Sequence, residues 1–458
     1  MAGRPTRPKG GRPSGGRPNG RPAAGIPVSG RPAGSRAGLG GSRPGGPRMA
    51  PAGERRPSRS PRPSKQRPAA PPRRRATDPP QAVLELYRPD LARILAGADA
   101  PAFRYAQVLE HLFHRPGVDF ATASALPADL RAALGAAGTS VLEVVATRQA
   151  ADGTTKLLLS AVDGAHVETV SMPYGKRLTV CISSQVGCAV GCAFCATGAL
   201  GFRRNLTTTE IVDQIRAAVS MAQPDQRLTN VVYMGMGEPL LNLGAVLDSV
   251  RVLTASSTFG LGHRALSIST VGIPNGILRL AQAEPQVNLA LSLHAADDAT
   301  RALLIPDKFR HPIAAVLEAA WQHFAITRRK LLLEYVLIGG VNDSVDDARR
   351  LAGLLRGRVV TVNLLNWNPV CPEDVERTVP AAPARAPQKS SRAAEPQPGR
   401  TRLAPLPVLL PSSPAAISAF RAALRASHIE SVLRQSKGAG IEAACGQLAG
   451  SVRSYTEE

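Results

Sequence analysis

The chain has 458 residues, 43% of them hydrophobic, and a formal net charge of +22, long enough for two or three domains with a sizeable core. Its six cysteines do not form a disulfide framework, because four of them crowd between Cys181 and Cys195; clustered free thiols point to a reducing cytoplasm. No run of about 18 apolar residues suggests a membrane span.

The charge sits at one end. Residues 1–80 hold 19 Lys and Arg against 2 Asp and Glu, so 17 of the 22 net positive charges lie there. They repeat Gly-Arg-Pro, from Gly3-Arg4-Pro5 to Gly30-Arg31-Pro32, and offer almost nothing to a core, which reads as a disordered basic arm. Such an arm either tethers RNA, gaining affinity by releasing counterions from phosphate, or is a solvated tail. Without an apolar stretch it is not expected to act as a secretory signal.

From residue 82 the pattern turns helical. Val108, Leu109, Leu112 and Phe113, then Leu126, Leu130 and Leu134, recur at helix spacing, predicting a small helical accessory domain over 82–137. Over 138–175 the period changes to two, and Asp152-Gly153 and Asp163-Gly164 punctuate it as hairpin turns. A capping box, Thr207-Thr208-Thr209-Glu210, opens a helix after residue 206. Strands then alternate with helices at 178–182, 230–234, 265–271, 288–293, 332–338 and 360–365. Six β/α units are too few for a closed eight-stranded barrel, so the fold class is α/β with a partial (β/α)6 barrel over 176–370, open on one side. Residues 371–414 are Pro/Ala/Arg-rich without periodicity and read as an inserted loop. A helix at about 415–425, a short strand around 429–434 and a glycine-bearing segment complete residues 415–458.

The chemistry centres on Cys188-Ala-Val-Gly-Cys192-Ala-Phe-Cys195. Three thiolates on one loop select iron–sulfur, zinc or copper(I). Structural zinc sites gather two separated ligand pairs that fill four positions, whereas this hook has no obvious fourth ligand, leaving one iron of a 4Fe-4S cluster open. Polar and glycine motifs follow at the carboxyl ends of the predicted strands, where parallel barrels build their sites: Gly235-Met236-Gly237-Glu238-Pro239, Ser267 and Ser269, Ser292-Leu293-His294, and Asn366-Trp367-Asn368-Pro369. Singly each has a plain reading as a turn glycine, a strand serine, a core histidine or a pre-proline asparagine. In strand order after a three-cysteine hook they favour a shared cofactor site. Cys445 stands between Ala444 and Gly446; such a cysteine is often just small and buried, yet Gly438 and Gly440 give its loop freedom to carry a thiol into a site.

The hook, with Phe194 before its last cysteine, resembles the radical-SAM signature. Cys181-Ile-Ser-Ser-Gln185, Gly201-Phe-Arg-Arg-Asn-Leu206, residues 234–239, Ser292-Leu293-His294, Trp367-Asn368-Pro369 and Ala443-Ala-Cys-Gly-Gln-Leu448 resemble the RlmN/Cfr family of radical-SAM RNA methyltransferases, over roughly residues 103–450. The resemblance implies that Cys188, Cys192 and Cys195 bind the 4Fe-4S cluster. It implies that Gly237, Glu238, Ser269, Ser292, Leu293, His294 and Asn368 line the S-adenosyl-L-methionine site. Cys445 would take a methyl group from one S-adenosylmethionine; a second, reductively cleaved, would yield a 5′-deoxyadenosyl radical that activates that S-methyl group for addition to an adenine carbon. Cys181 would resolve the adduct through a disulfide with Cys445, and Glu168 would accept the ring proton.

The implied substrate is an adenosine of 23S rRNA, methylated at C2, with tRNA as a second substrate, an electron donor such as flavodoxin, no membrane partner and a monomeric cytoplasmic enzyme. The chain departs from the family's basic run before the catalytic loop, reading Arg434-Gln-Ser-Lys-Gly-Ala-Gly440, so C8 methylation in the manner of Cfr remains an alternative. From other classes stand a radical-SAM peptide maturase, which would give Cys445 and Cys181 no paired role, and a non-catalytic RNA-binding Fe-S protein.

Overall fold

The computed structural model describes residues 78–370, 409–435 and 437–450. The expected basic arm and the expected insert lie outside the described residues, except for their last few positions. Helices α1 (Pro80–Tyr87) and α2 (Pro89–Gly97) each begin with proline, whose fixed φ suits the first helical turn and whose missing N–H would have no partner there. In α3 (Ala102–His114) the residues predicted from helix spacing, Val108, Leu109, Leu112 and Phe113, are all buried. The shorter α4 (Ala128–Ala137) buries Leu134.

Strands β1 (Leu142–Gln149), β2 (Thr155–Ala161), β3 (His166–Tyr174) and β4 (Arg177–Cys181) run antiparallel in sequence order. Both predicted Asp-Gly turns form: each aspartate accepts the amide two residues on, and Gly153 and Gly164 adopt φ of +80° and +72°, which glycine tolerates without strain. From β4 onward the sheet is parallel. After a small ribbon, β5 (Gln185–Gly187) and β6 (Phe202–Asn205), with the short α5 (Ala196–Ala199) between them, come α6 (Thr208–Ser220) and β7 (Arg227–Tyr233). Then α7 (Leu243–Thr254), β8 (Leu266–Thr270), α8 (Pro274–Ala283), β9 (Asn288–Ser292), α9 (Asp298–Leu304), α10 (Ile313–Thr327), β10 (Leu331–Leu337), α11 (Val345–Leu355), β11 (Val360–Asn366), α12 (Pro414–Ala426) and β12 (Ser431–Leu433) follow.

The strand order is β1-β2-β3-β4-β7-β8-β9-β10-β11-β12. Its edges are β1 and β12, giving the partial α/β barrel expected, extended at both ends. The hairpin strands join the barrel directly, because β3 pairs with β4. The three-residue β12 adds a seventh parallel strand beside β11. It is brought there by α12, whose Phe420 is fully buried 5.3 Å from Tyr335 of β10; burying such a ring is worth about 1.5–3 kcal/mol.

The predicted capping box is present: the Thr207 side chain accepts the Glu210 amide and Glu210 accepts the Thr207 amide. The helix it opens also anchors the accessory helices. Arg216 of α6 donates to Leu112 O (2.8 Å), Thr139 O (2.6 Å) and the Tyr87 hydroxyl (2.8 Å). Asp213 bonds Tyr87, Ser140 and the Val141 amide. Arg216, Asp213 and Tyr87 are buried and mutually satisfied, the condition under which buried charge is tolerated. Among the described residues no helix is long and apolar enough to cross a membrane.

Candidate active site

The hook is held by backbone bonds from several directions. Cys188 N donates to Gly201 O (2.8 Å), which requires β5 and β6 to approach so closely that a Cβ at position 187 would lie 1.9 Å from that oxygen. Ala193 N donates to Leu304 O of α9 (2.9 Å), and the Trp367 indole donates to Phe194 O (2.9 Å). Beneath lies a small apolar cluster, Val190, Val271, Leu304, Ile305, Val336 and Ile338, on which Cys188, Cys192 and Phe194 pack.

Above it is a cavity of about 180 Å³. Cys188, Cys192 and Cys195 line it together with Gly237, Glu238, Ser269, Ser292, His294, Asn368 and Cys445. Of the residues expected there, Leu293, Cys181 and Glu168 are not among the lining. Leu293 is fully buried; its amide donates to Glu334 O (3.1 Å) and its carbonyl accepts from Arg301 (3.2 Å).

Among the described residues no three His, Cys, Asp or Glu side chains are already closed around a metal-sized point. The donor set of the hook fits an iron–sulfur group: three soft sulfurs line one cavity, the hook carries no fourth cysteine, and the remaining lining is mostly apolar with Glu238, Ser269 and Ser292 as polar groups set into it. Burial pushes the Cys188 thiol up to about 11 and that of Cys192 well above its ordinary value, with neighbouring Cys195 adding to both. Such thiols become thiolates when a metal cation replaces the proton.

The polar side is built by adjacent strands. Ser269 and Ser292 bond each other across β8 and β9 (3.1 Å). His294 sits at φ +60° with Nδ1 accepting the Val336 amide (3.1 Å). Burial drives its pKa down to about 3, so the ring is neutral, edge-on to Phe194 at 4.9 Å between centroids. Gly237, at φ +102°, lets the backbone pass Gln185 so closely that a Cβ would meet that side chain at 2.6 Å. Gln185 Oε1 then accepts the Glu238 amide (3.0 Å).

Glu238 is buried, with Oε1 accepting Leu240 N (3.0 Å) and Oε2 accepting Val271 N (2.8 Å). Burial outweighs these amides and raises its carboxyl to about 7. The native state thus holds this proton where the unfolded chain has lost it, and stability should fall as pH rises from about 4.5 through 7. In thermal melts of apoprotein between pH 5 and 8, Glu238→Gln should flatten that slope. With one acceptor in place of two it should also forfeit an amide bond, at about 1–3 kcal/mol. An unchanged slope would remove Glu238 as its source.

Cys445 is exposed by area yet ringed by protein at the cavity mouth. Burial raises its thiol to about 11, Glu334 adds to the rise and Arg434 opposes it. Its loop is tied to α5, which follows the hook, and to the segment after β11: Ala196 N donates to Gly446 O (2.7 Å), Thr197 Oγ1 to Leu448 O (2.6 Å) and Asn368 Nδ2 to Cys445 O (3.4 Å). Cys181, at the end of β4, is buried; desolvation raises its thiol, and the charge of Cys445 is the next cause. The two thiols are therefore within electrostatic reach.

Glu168, on β3, is fully buried. Its carboxylate is 3.1 Å from the Lys156 ammonium and accepts the amides of Ala449 (2.7 Å) and Gly450 (3.0 Å).

Glu334 joins the site although it lies outside the sequence motifs. It stands on β10, lines the cavity and accepts from Asn363 (2.8 Å). A signal was present: one carboxylate inside Leu332-Leu333-Glu334-Tyr335-Val336-Leu337, a strand of a parallel sheet whose faces are otherwise apolar, must face something polar.

Residues 182–352 match the radical SAM superfamily. The chain is 38% identical over 390 residues to a protein of Heliobacterium modesticaldum named as the dual-specificity RNA methyltransferase RlmN, covering 83% of this chain and 92% of that protein. It is 41% identical over 349 residues to a Thermus thermophilus protein of the same name, covering 76% and 89%. The crystal structure of a radical SAM methyltransferase from Sphaerobacter thermophilus superposes with a TM-score of 0.69 at 40% identity, covering 80% of this chain and 98% of that one. With such identity spread over most of its length, and its hook cysteines gathered on one cavity, the chain belongs to the RlmN family of radical SAM enzymes, which use a 4Fe-4S cluster and S-adenosylmethionine.

Proposed function

We propose that this protein methylates C2 of an adenosine in 23S rRNA, and a tRNA adenosine as a second substrate, through a methyl group carried on Cys445. The observation that carries the reading is that Cys445 lines the same cavity as Cys188, Cys192 and Cys195. A thiol there can meet both the methyl donor and the radical source.

In this reading the three hook cysteines hold the cluster, and Gly237, Glu238, Ser269, Ser292, Leu293, His294 and Asn368 belong to the S-adenosylmethionine site. Leu293 acts through its backbone position, since its side chain is in the core. When bound, the cluster and two S-adenosylmethionine molecules per turnover supply a methyl group and a carbon radical, which an electrophilic amidine carbon requires. Cys445 accepts the methyl on sulfur and presents it to the base. Cys181 attacks the Cys445 sulfur: the disulfide forms as the sulfur–carbon bond of the adduct breaks, the released carbon takes a proton to become the methyl group, and a thiol reductant returns both cysteines to thiols. Glu168 accepts the ring proton; its two oxygens are engaged by Lys156 and by the 449–450 amides, so this step requires the Cys445 segment to move.

The protein works as a monomer in the cytoplasm with an electron donor such as flavodoxin. Incubation of reconstituted protein with 23S rRNA and with tRNA, followed by mass spectrometry of the nucleosides, is expected to yield 2-methyladenosine. A product of 8-methyladenosine would replace the C2 assignment, and no methylated adenosine would overturn the function.

A further inference from the structure

Two buried charges from neighbouring strands reach the Cys445 segment at both its ends. In the β2–β3 register Leu158 faces Glu168 and Lys156 faces Val170, so Lys156 and Glu168 are diagonal neighbours on one face of the sheet. Their side chains are 1% and 0% exposed, and Lys156 Nζ is 3.1 Å from Glu168 Oε1. On one side Lys156 donates to the carbonyl of Glu442 (3.4 Å), whose own carboxylate lies 4.0 Å from the ammonium. On the other, Glu168 Oε2 accepts the amides of Ala449 and Gly450. The segment between these anchors carries Cys445.

The anchors coincide with changes of chain direction. Glu442 sits at φ +53°, a left-handed conformation rare for a residue with a Cβ, and Gly450 at φ +62°. A buried ion pair needs its remaining hydrogen-bonding capacity filled. Here part of that capacity is filled by backbone groups of the segment.

We infer that Lys156, acting with Glu168, is a positioning residue for Cys445: the ion pair is a latch that holds residues 442 and 449–450 and so fixes the thiol at the cavity mouth. Apart from the Glu442 carboxylate at 4.0 Å, the latch engages backbone groups and makes no contact with the Cys445 side chain, so it holds the resting segment and must open when Glu168 takes the ring proton. The inference deepens the reading of Cys445 as methyl carrier and rests on it for its purpose, but its geometry requires neither cofactor nor RNA.

The test is made on full-length apoprotein. Lys156→Met keeps most of the aliphatic stem and removes the charge. Releasing the segment frees Cys445 from the cavity lining, so alkylation of Cys445 by iodoacetamide at pH 7, followed by peptide mass spectrometry, should accelerate about tenfold or more. Amide exchange over 443–450 should accelerate with it, while β2 and β3 amides remain protected. A merely structural role for Lys156 would instead loosen β2 and β3 together with the segment. A folded variant with unchanged Cys445 alkylation and unchanged exchange overturns the latch.

If Lys156→Met does not fold, the wild type decides. The latch predicts that the amides of 443–450 exchange in one cooperative opening, and progressive fraying from residue 450 inward contradicts it. These readouts are made on apoprotein and stay distinct from methyl transfer: failure of the methyl-carrier role would appear as unchanged methylation in Cys445→Ala, whereas failure of the latch would appear as unchanged alkylation and exchange in Lys156→Met.

Discussion

Cys445→Ala is expected to lower RNA methylation by about a thousandfold or more, the scale on which removal of a covalent catalyst acts, while leaving the fold intact. The side chain is exposed by area, and exchanging a thiol for a methyl at such a position changes stability within about 0.5 kcal/mol. The contacts that seat its loop are made by neighbours: the carbonyls of Gly446 and Leu448 accept from Ala196 and Thr197 of α5, and the Gln447 side chain bonds Pro369 O and Ala444 N. Comparing methyl incorporation into RNA with the melting temperature separates chemistry from folding. A variant that retains a tenth of wild-type methylation would remove Cys445 from the covalent path.

The second large effect belongs to the hook. Cys192→Ser replaces a soft sulfur with a hard hydroxyl, which iron–sulfur clusters seldom accept, so iron and sulfide content after anaerobic reconstitution should fall about tenfold or more. The loop itself should persist. Its positions come from backbone bonds such as Ala193 N to Leu304 O and Cys195 N to Cys192 O, none of which involves the Cys192 sulfur. Far-UV circular dichroism should match wild type, and iron content equal to wild type would show that Cys192 is no ligand.

Much of the fold was legible because its signals are local. The alternation in Leu142-Glu143-Val144, the Asp-Gly turns and the Thr207–Glu210 capping box each lie within a few residues, and each marks an element where the structure has one. The barrel followed from counting β/α units. The candidate site was legible where residue types are chemically unusual, as in three closely spaced cysteines.

The rest depended on pairs far apart in sequence. Tyr87 meets Asp213 across 126 residues and Glu168 meets Ala449 across 281; such pairs leave no periodicity to read. A lysine and a glutamate within β2 and β3 look like ordinary strand residues until the segment that buries them is in place. For the same reason β12, three residues long, could be expected as a strand but not assigned its neighbour.

The most direct test of the central claim is intact-mass analysis of Cys181→Ala purified anaerobically after expression in cells. Without Cys181 the Cys445 adduct has no resolving thiol, so the account predicts a population of protein covalently joined to RNA. Nuclease digestion should trim it to a nucleotide linked through one added carbon at Cys445. Cys181→Ala protein without such an adduct, in a sample whose cluster is filled and whose wild-type counterpart methylates RNA, would contradict the two-cysteine account.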